Sequence, residues 1–199
     1  MKSTRYYNKN AAALATQYDA IASGDIHDIW KDHLPERNGL ACDIGAGTGR
    51  DANWLASKGW DVIAVEPSSA MREHGMSRSR PGVTWLDDSL PRLDKLRALG
   101  YRFNLILLSA VWMHIPESKR ERAFRILSEM LAPSGVLVIS LRYGTDAQEN
   151  TERVFYEVTA SELLEYAKKR SIAVASQYRH ADLNRAHVSW ETMVFHMPA

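Results

Sequence analysis

The chain has 199 residues, of which 45% are hydrophobic and 25% are charged, and its formal net charge is +1. This length and composition are typical of one globular domain and exclude a disordered or fibrous protein. The small net charge gives no support to a nucleic acid or an anionic membrane as partner. Cys42 is the only cysteine, which excludes an intramolecular disulfide and a cysteine-based zinc site.

Residues 1–10 lack the apolar stretch of a signal peptide. No run in the sequence approaches the roughly 18 apolar residues that span a bilayer. We therefore expect a cytoplasmic protein with no membrane partner, and we treat residues 1–199 as a single domain.

Short apolar runs alternate with amphipathic segments along most of the chain. Apolar runs that end at glycine, proline or acidic residues predict buried strands, and apolar residues spaced by three or four predict helices. The predicted strands are residues 40–44, 61–65, 83–86, 103–108, 136–141, 172–178 and 188–196. The predicted helices are residues 50–58, 68–74, 93–99, 117–131 and 161–170.

The order of these elements predicts the fold class. It is α/β: a doubly wound, mostly parallel seven-stranded sheet with helices on both faces and an antiparallel last strand. The polar stretch 144–152 predicts a loop that is mobile or faces the substrate. Ligands bind such sheets at the carboxyl ends of the strands, so we expect residues 43–49, 66–69, 87–89 and 108–114 to line one crevice.

A glycine-rich turn, DIGAGTG at residues 43–49, follows the first predicted strand. Closely spaced glycines permit positive φ angles and the close approach of a ligand. Dinucleotide sites use G-x-G-x-x-G, whereas the spacing here is G-x-G-x-G with Asp43 two residues ahead. An acid at this point can accept hydrogen bonds from a cationic amino group.

Two further acids follow the next strands. Glu66 ends the second predicted strand, 21 residues after Gly45, and could accept hydrogen bonds from both hydroxyls of a ribose. The alternative for Glu66 is a solvated carboxylate. In the acidic turn at residues 85–91, Asp88 could accept from the amino group of an adenine, with Asp87 as the alternative one residue away.

These motifs resemble those of class I S-adenosylmethionine (SAM) dependent methyltransferases. Residues 41–74 resemble motifs I and II of that family, residues 88–93 resemble its adenine-binding turn, and residues 103–116 and 127–140 resemble its later motifs. The resemblance implies SAM as cofactor and S-adenosylhomocysteine (SAH) as product. It also implies cofactor contacts: Asp43, Gly45 and Gly47 at the methionine part, Glu66 at the ribose, Asp88 and Ser89 at the adenine, and Ser109 beneath the cofactor, with Ala46, Pro67 and Tyr7 as further contacts.

The segment at residues 6–21 resembles the lid helix of small-molecule methyltransferases of this class. Residues 1–30 are accordingly expected to form lid helices and residues 38–199 the SAM-binding core with substrate-facing loops. Tyr6, Tyr7 and Tyr18 are candidate lid contacts, with helix packing as the alternative. One departure from the family pattern is Asn104, where many relatives carry aspartate.

Direct transfer of a sulfonium methyl group needs an aligned nucleophile more than an elaborate catalytic apparatus. An acceptor hydroxyl or protonated amine also needs a base, for which His114 is the candidate and a packing histidine the alternative. Trp112 and Tyr143 could shape an acceptor pocket, and Arg142 could bind an anionic acceptor through its planar guanidinium. Ordinary packing is the alternative for all three.

The sequence therefore predicts SAM-dependent methyl transfer, by direct displacement, to an unidentified small molecule. One alternative is a methyltransferase that acts on RNA or protein, although no nucleic-acid module is evident and Ser109-Ala110-Val111-Trp112 replaces the Asn-Pro-Pro-Tyr type motif. A second alternative is a non-catalytic SAM-binding sensor or subunit. No metal is predicted, and we expect a monomer or weak homodimer.

Overall fold

The computed structural model describes residues 2–182 and 185–199, and within them seven strands form one sheet. The strands are β1 Leu40–Ile44, β2 Asp61–Val65, β3 Val83–Leu86, β4 Phe103–Leu108, β5 Leu131–Gly144, β6 Ala173–Ala181 and β7 Val188–His196. Their order across the sheet is β3-β2-β1-β4-β5-β7-β6. Strand β7 runs antiparallel to both of its neighbours, and the other pairs are parallel. The predicted fold class is confirmed, including the antiparallel last strand.

Helices connect the strands and cover the sheet. Within the described residues they are α1 Lys2–Asp19, α2 Ser23–His27, α3 Arg50–Ser57, α4 Ser69–Ser77, α5 Asp94–Ala98, α6 Glu117–Glu129, α7 Ala147–Arg153 and α8 Ala160–Lys169. Short 3-10 helices lie at Asp28–His33 and Trp112–His114.

The predicted loop at residues 144–152 is wrong, because most of it belongs to helix α7. Asp146 caps this helix: its carboxylate accepts hydrogen bonds from the backbone N–H of Gln148 at 2.9 Å and of Glu149 at 3.0 Å. Aspartate is a strong N-cap because it satisfies donors that the first turn of a helix leaves unpaired. Strand β6 continues to Ala181, three residues beyond the predicted end at residue 178, and residues 183 and 184 lie outside the described residues.

Both faces of the central strands β1, β2 and β4 are buried, as their continuous apolar runs predicted, whereas the edge strand β6 is largely exposed. Side chains alternate along β4, so that Ile106 packs in one hydrophobic cluster and Leu107 in the other. Phe124 of α6 belongs to the first cluster and Leu55 of α3 to the second, and both are fully buried. The chain order reverses between the adjacent strands β1 and β4, and such a reversal opens a crevice at the carboxyl ends of the strands.

None of the helices in residues 2–182 and 185–199 has the length and apolar character needed to cross a membrane.

Candidate active site

A cavity of about 700 Å³ lies at the carboxyl ends of the parallel strands, within the range typical of small-ligand pockets. The segments that follow β1, β2, β3 and β4 meet in its wall, as the sequence predicted, and α1 covers it. Of the residues predicted to contact the cofactor, those in the wall are Tyr7, Gly45, Ala46, Gly47, Glu66, Pro67, Asp88, Ser89 and Ser109.

The turn after β1 requires its glycines. Gly45, Gly47 and Gly49 have φ angles of 76°, 55° and 77°, in the left-handed region that side chains disfavour. A Cβ atom on Gly45 would lie 2.4 Å from Cγ2 of Val111, which is too close for van der Waals contact. At Gly45 and Gly47 the backbone of the turn therefore faces the cavity without side chains, and a ligand can approach it closely.

Glu66 is held on the cavity wall by two backbone donors. Its carboxylate accepts from the N–H of Gly47 at 2.8 Å and of Ser68 at 2.7 Å, and the residue is only 7% exposed. Burial raises the pKa of Glu66, while these two hydrogen bonds act in the opposite direction. Each carboxylate oxygen can accept more than one hydrogen bond, so both can still accept from a ligand.

The acidic turn after β3 brings Asp88, and not Asp87, into the cavity wall. The Asp88 carboxylate accepts from the N–H of Ser89 at 2.8 Å and of Leu96 at 2.9 Å, which fixes it at the start of α5. The side chain of Asp87 is 55% exposed and lies 3.4 Å from the guanidinium of Arg72. The geometry therefore favours Asp88 for any contact with an adenine.

Asp43 does not line the cavity, contrary to the sequence prediction of a direct contact. Alternation along β1 turns its side chain toward α3, where it is 1% exposed and accepts a hydrogen bond from the backbone of Ala52. Its Oδ2 has no hydrogen-bond partner in the described part of the chain. Burial is the main cause of the raised pKa of Asp43, and the nearby charges of Asp51 and Glu66 add to it.

Helix α1 contributes Ser3, Thr4, Tyr7, Gln17 and Tyr18 to the wall of the cavity. Asn8 ties the helix to the start of α4, because its Oδ1 accepts from the hydroxyl of Ser68 at 2.7 Å and from the N–H of Ala70 at 3.2 Å. Tyr7 and Tyr18 line the cavity, whereas Tyr6 lies beside Tyr7 and is not part of the wall.

His114 and Tyr7 form a hydrogen-bonded pair in the cavity. The hydroxyl of Tyr7 lies 3.0 Å from Nε2 of His114 and accepts from Nη2 of Arg153 at 2.8 Å. Because the guanidinium can only donate, the Tyr7 hydroxyl is free to donate its own proton to Nε2. Burial lowers the pKa of His114 to about 4, and the positive charge of Arg153 contributes. The imidazole is therefore neutral at pH 7 and can accept a proton.

The low pKa of His114 should make the folded protein less stable in mild acid. The unfolded chain takes up a proton at this histidine near pH 6.5, but the folded chain does so only near pH 4. The unfolded state thus binds more protons as the pH falls through this window, and stability declines. From pH 7 to pH 5 we expect the wild type to lose about 2 kcal/mol more unfolding free energy than His114→Gln. Urea denaturation of both proteins at the two pH values measures this difference, and equal losses would contradict it.

The residues predicted to bind the methyl acceptor do not all lie in one place in the structure. Arg142 lines the cavity, but its neighbour Tyr143 points to the other side of the strand, as alternation requires. Tyr143 lines a second cavity beside α8 and donates from its hydroxyl to Oε2 of Glu191 at 2.6 Å. The prediction for Trp112 is also corrected: its side chain is fully buried and packs edge-on against Phe124 in the core.

Three arginines that the sequence analysis missed also line the cavity: Arg50 at the start of α3, Arg153 at the end of α7 and Arg185 before β7. Arg153 donates to Glu149 at 2.7 Å and to the hydroxyls of Tyr7 and Tyr18. The sequence feature that could have revealed α7, and with it the position of Arg153 at its end, is Asp146, a favourable N-cap residue.

No group of three or more His, Cys, Asp or Glu side chains suited to a metal occurs within residues 2–182 and 185–199.

Comparisons with known proteins agree with this arrangement. Residues 8–185 match the family described as a methyltransferase domain. An uncharacterized methyltransferase of Oceanobacillus iheyensis is 26% identical over 132 residues, which are 66% of this chain and 60% of that protein. An uncharacterized methyltransferase of Alkaliphilus oremlandii is 28% identical over 105 residues, which are 53% and 46% of the two chains. The chain thus covers less than two thirds of the length of either relative.

Solved structures of low sequence identity share the fold. An S-adenosylmethionine dependent methyltransferase from Mesorhizobium loti superposes with a TM-score of 0.69 at 15% identity, covering 85% of this chain and 96% of that one. The N-methyltransferase NodS from Bradyrhizobium japonicum, in complex with SAH, gives 0.65 at 13% identity, with 81% and 79% coverage. Phosphoethanolamine N-methyltransferase 2 from Haemonchus contortus gives 0.66 at 18% identity, with 89% and 53% coverage. The family match and the shared fold together confirm the resemblance found in the sequence: the chain belongs to the methyltransferase-domain family and has the fold of the class I SAM-dependent methyltransferases.

Proposed function

We propose that the protein is an enzyme that binds SAM in the cavity under α1 and transfers its methyl group to a small molecule, leaving SAH. Membership of the methyltransferase-domain family supports methyl transfer. The SAH bound to NodS, a protein of the same fold, supports the cofactor. The observation that carries the proposal is one cavity in which Glu66, fixed at the end of β2, shares the wall with the neutral His114.

The residues of the wall fit the cofactor. Glu66 would accept hydrogen bonds from the ribose hydroxyls, and Asp88 with Ser89 would hold the adenine. The glycine turn at residues 45–47 leaves its backbone open to the methionine part. Four glycine and acidic positions of the sequence motifs, Gly45, Gly47, Glu66 and Asp88, thus lie around a space of suitable size, and each can make the contact that the resemblance implies.

Bound SAM supplies a methyl group that is already electrophilic, because it is attached to a sulfonium. The protein must therefore align the acceptor and exclude water, which α1 and α7 can do by covering the cavity. On transfer, the acceptor atom would bond to the methyl carbon, and the electron pair of the C–S bond would stay on the sulfur of SAH. A proton leaves the acceptor if it reacts as a hydroxyl or ammonium. Tyr7 can take that proton while passing its own to Nε2 of His114.

Turnover tests the proposal directly. The protein is incubated with methyl-labelled SAM and, in separate reactions, with a panel of small molecules, with bulk RNA and with bulk protein. We expect label in the small-molecule reactions, and we expect Tyr7→Phe to lower that turnover at least about 10-fold through loss of the proton path. Tyr101→Phe, at an exposed tyrosine, is the matched control. Label in RNA or protein would support the macromolecular alternative, and SAM binding without any labelled product would support the non-catalytic one.

A further inference from the structure

The charges in the wall of the cavity fall into two groups. On the β3-β2-β1 side, four carboxylates line the wall with a single guanidinium: Asp25, Asp51, Glu66 and Asp88 with Arg50. On the β5-β7-β6 side, the guanidiniums of Arg142, Arg153 and Arg185 line it with one carboxylate, that of Asp182. The acidic side suits the positively charged sulfonium cofactor, so the basic side is left for the acceptor.

The three arginines converge on Glu149, which lies between them. Arg142 donates to it through Nη2, Arg153 through Nη1 at 2.7 Å, and Nη1 of Arg185 lies 3.9 Å away. Arg185 also donates to Asp182 at 2.7 Å. Three guanidiniums thus share two carboxylates at the edge of a cavity, which leaves positive charge in excess on this side.

Two of the guanidiniums each hold one N–H donor that no group among the described residues accepts. The side chains of Arg142 and Arg153 are 3% and 9% exposed, and the Nε of each has no hydrogen-bond partner in the part of the chain that the structure describes. A guanidinium carries five N–H donors, and leaving a buried donor unpaired is unfavourable. Both guanidiniums also lie within 5 Å of the ring centre of Phe155, at 4.9 and 4.8 Å, so their planes are fixed by packing.

We propose that the methyl acceptor carries an oxyanion, a carboxylate or a phosphate, that binds between Arg142, Arg153 and Arg185. Planar guanidiniums pair with such groups through two parallel hydrogen bonds, and those with buried, fixed planes lose little freedom on binding. Phe155 and Trp190 line the same wall and provide an apolar surface for the rest of the molecule. This inference rests on the proposed function, because it assigns the acceptor half of the same cavity.

Matched pairs of probes test the inference. Benzoate and phenyl phosphate are titrated into SAH-saturated protein beside their neutral counterparts benzamide and phenol, with binding followed by ligand-observed NMR. We expect at least one anion to bind about 10-fold or more tightly than its neutral counterpart, and the two anions distinguish a carboxylate site from a phosphate site. In Arg142→Gln we expect that anion to bind about 10-fold more weakly. Arg125→Gln, at an exposed arginine of α6, should leave its affinity unchanged.

SAH affinity measured in the same samples separates the two proposals. If the wild type fails to bind SAH, the proposed function is overturned. If SAH binds but anions and neutral probes bind equally, or no anion binds at millimolar concentration, only the anionic acceptor is overturned. If circular dichroism shows that Arg142→Gln is unfolded, Arg185→Gln at the more open rim carries the same test. Unchanged anion affinity in the variant that still binds SAH would contradict the inference.

Discussion

Glu66→Ala should lower the affinity of the protein for SAH by about 100-fold. Two backbone N–H groups, those of Gly47 and Ser68, hold the carboxylate of Glu66 in place. The variant would remove the two proposed hydrogen bonds between this charged acceptor and the ribose hydroxyls, and bonds of this kind contribute about 1.5–3 kcal/mol each when fully formed. It also frees the N–H of Gly47 and so loosens the glycine turn. Calorimetric titration with SAH measures the loss.

Two further variants sharpen this test. Asp87→Ala removes an exposed acid outside the cavity wall and should change SAH affinity by less than about 3-fold. Glu66→Gln keeps the shape of the side chain, but its NH₂ group would face the N–H of Gly47 or of Ser68, so we expect a loss close to that of alanine. A Glu66→Ala protein that is folded and binds SAH within about 3-fold of wild type would remove Glu66 from the site.

Arg120→Ala should destabilise the folded protein by about 3 kcal/mol, a large share of the 5–15 kcal/mol typical of a domain. The Arg120 side chain is 3% exposed and has three partners. It donates to the carbonyl of Ile115 at 2.8 Å, to the carboxylate of Glu162 at 2.9 Å and to the carbonyl of Glu157 at 2.6 Å. The variant would leave two backbone carbonyls and a largely buried carboxylate with unmet hydrogen bonds. Urea denaturation followed by circular dichroism measures the change.

The two carbonyls belong to two segments that contribute to the cavity wall, one next to His114 and the other just beyond Phe155. Arg120 therefore joins these two segments as well as stabilising the fold. Arg122→Ala, two residues along the same helix but exposed, is the matched control and should stay within about 0.5 kcal/mol of wild type. Equal stability of the two variants would show that the Arg120 contacts contribute nothing net.

Local signals were sufficient to predict the sheet. Each strand of the first half is an apolar run that ends at a turn residue, and the glycine spacing after β1 located the crevice. Helix α7 was missed because its residues are polar on all sides and carry no apolar periodicity. Tertiary contacts stabilise this helix instead: Glu149 forms an ion pair with Arg142 of β5, and Arg153 donates hydrogen bonds to two tyrosines of α1.

Among the site residues, too, some positions could be predicted from local sequence signals, and others depend on the fold. Glu66 and Asp88 follow strand ends, so their position could be predicted from chain order alone. Arg142 and Tyr143 are consecutive on one strand, and sequence could not say which of the two faces the cavity, because that depends on the phase of the alternation. Trp112 follows β4 as expected, but the 3-10 turn at Trp112–His114 directs its side chain into the core and leaves His114 in the cavity wall. Arg185 reaches the cavity only because β7 pairs with β5, a contact between distant parts of the chain.

The most direct test of the central claim is a calorimetric titration of the purified protein with SAM, SAH and NAD under the same conditions. We expect SAM and SAH to bind with dissociation constants on the order of micromolar, as substrates and products of enzymes commonly do, and NAD not to bind in that range. Absence of SAM and SAH binding, or a preference for NAD, would contradict the assignment of this cavity to SAM.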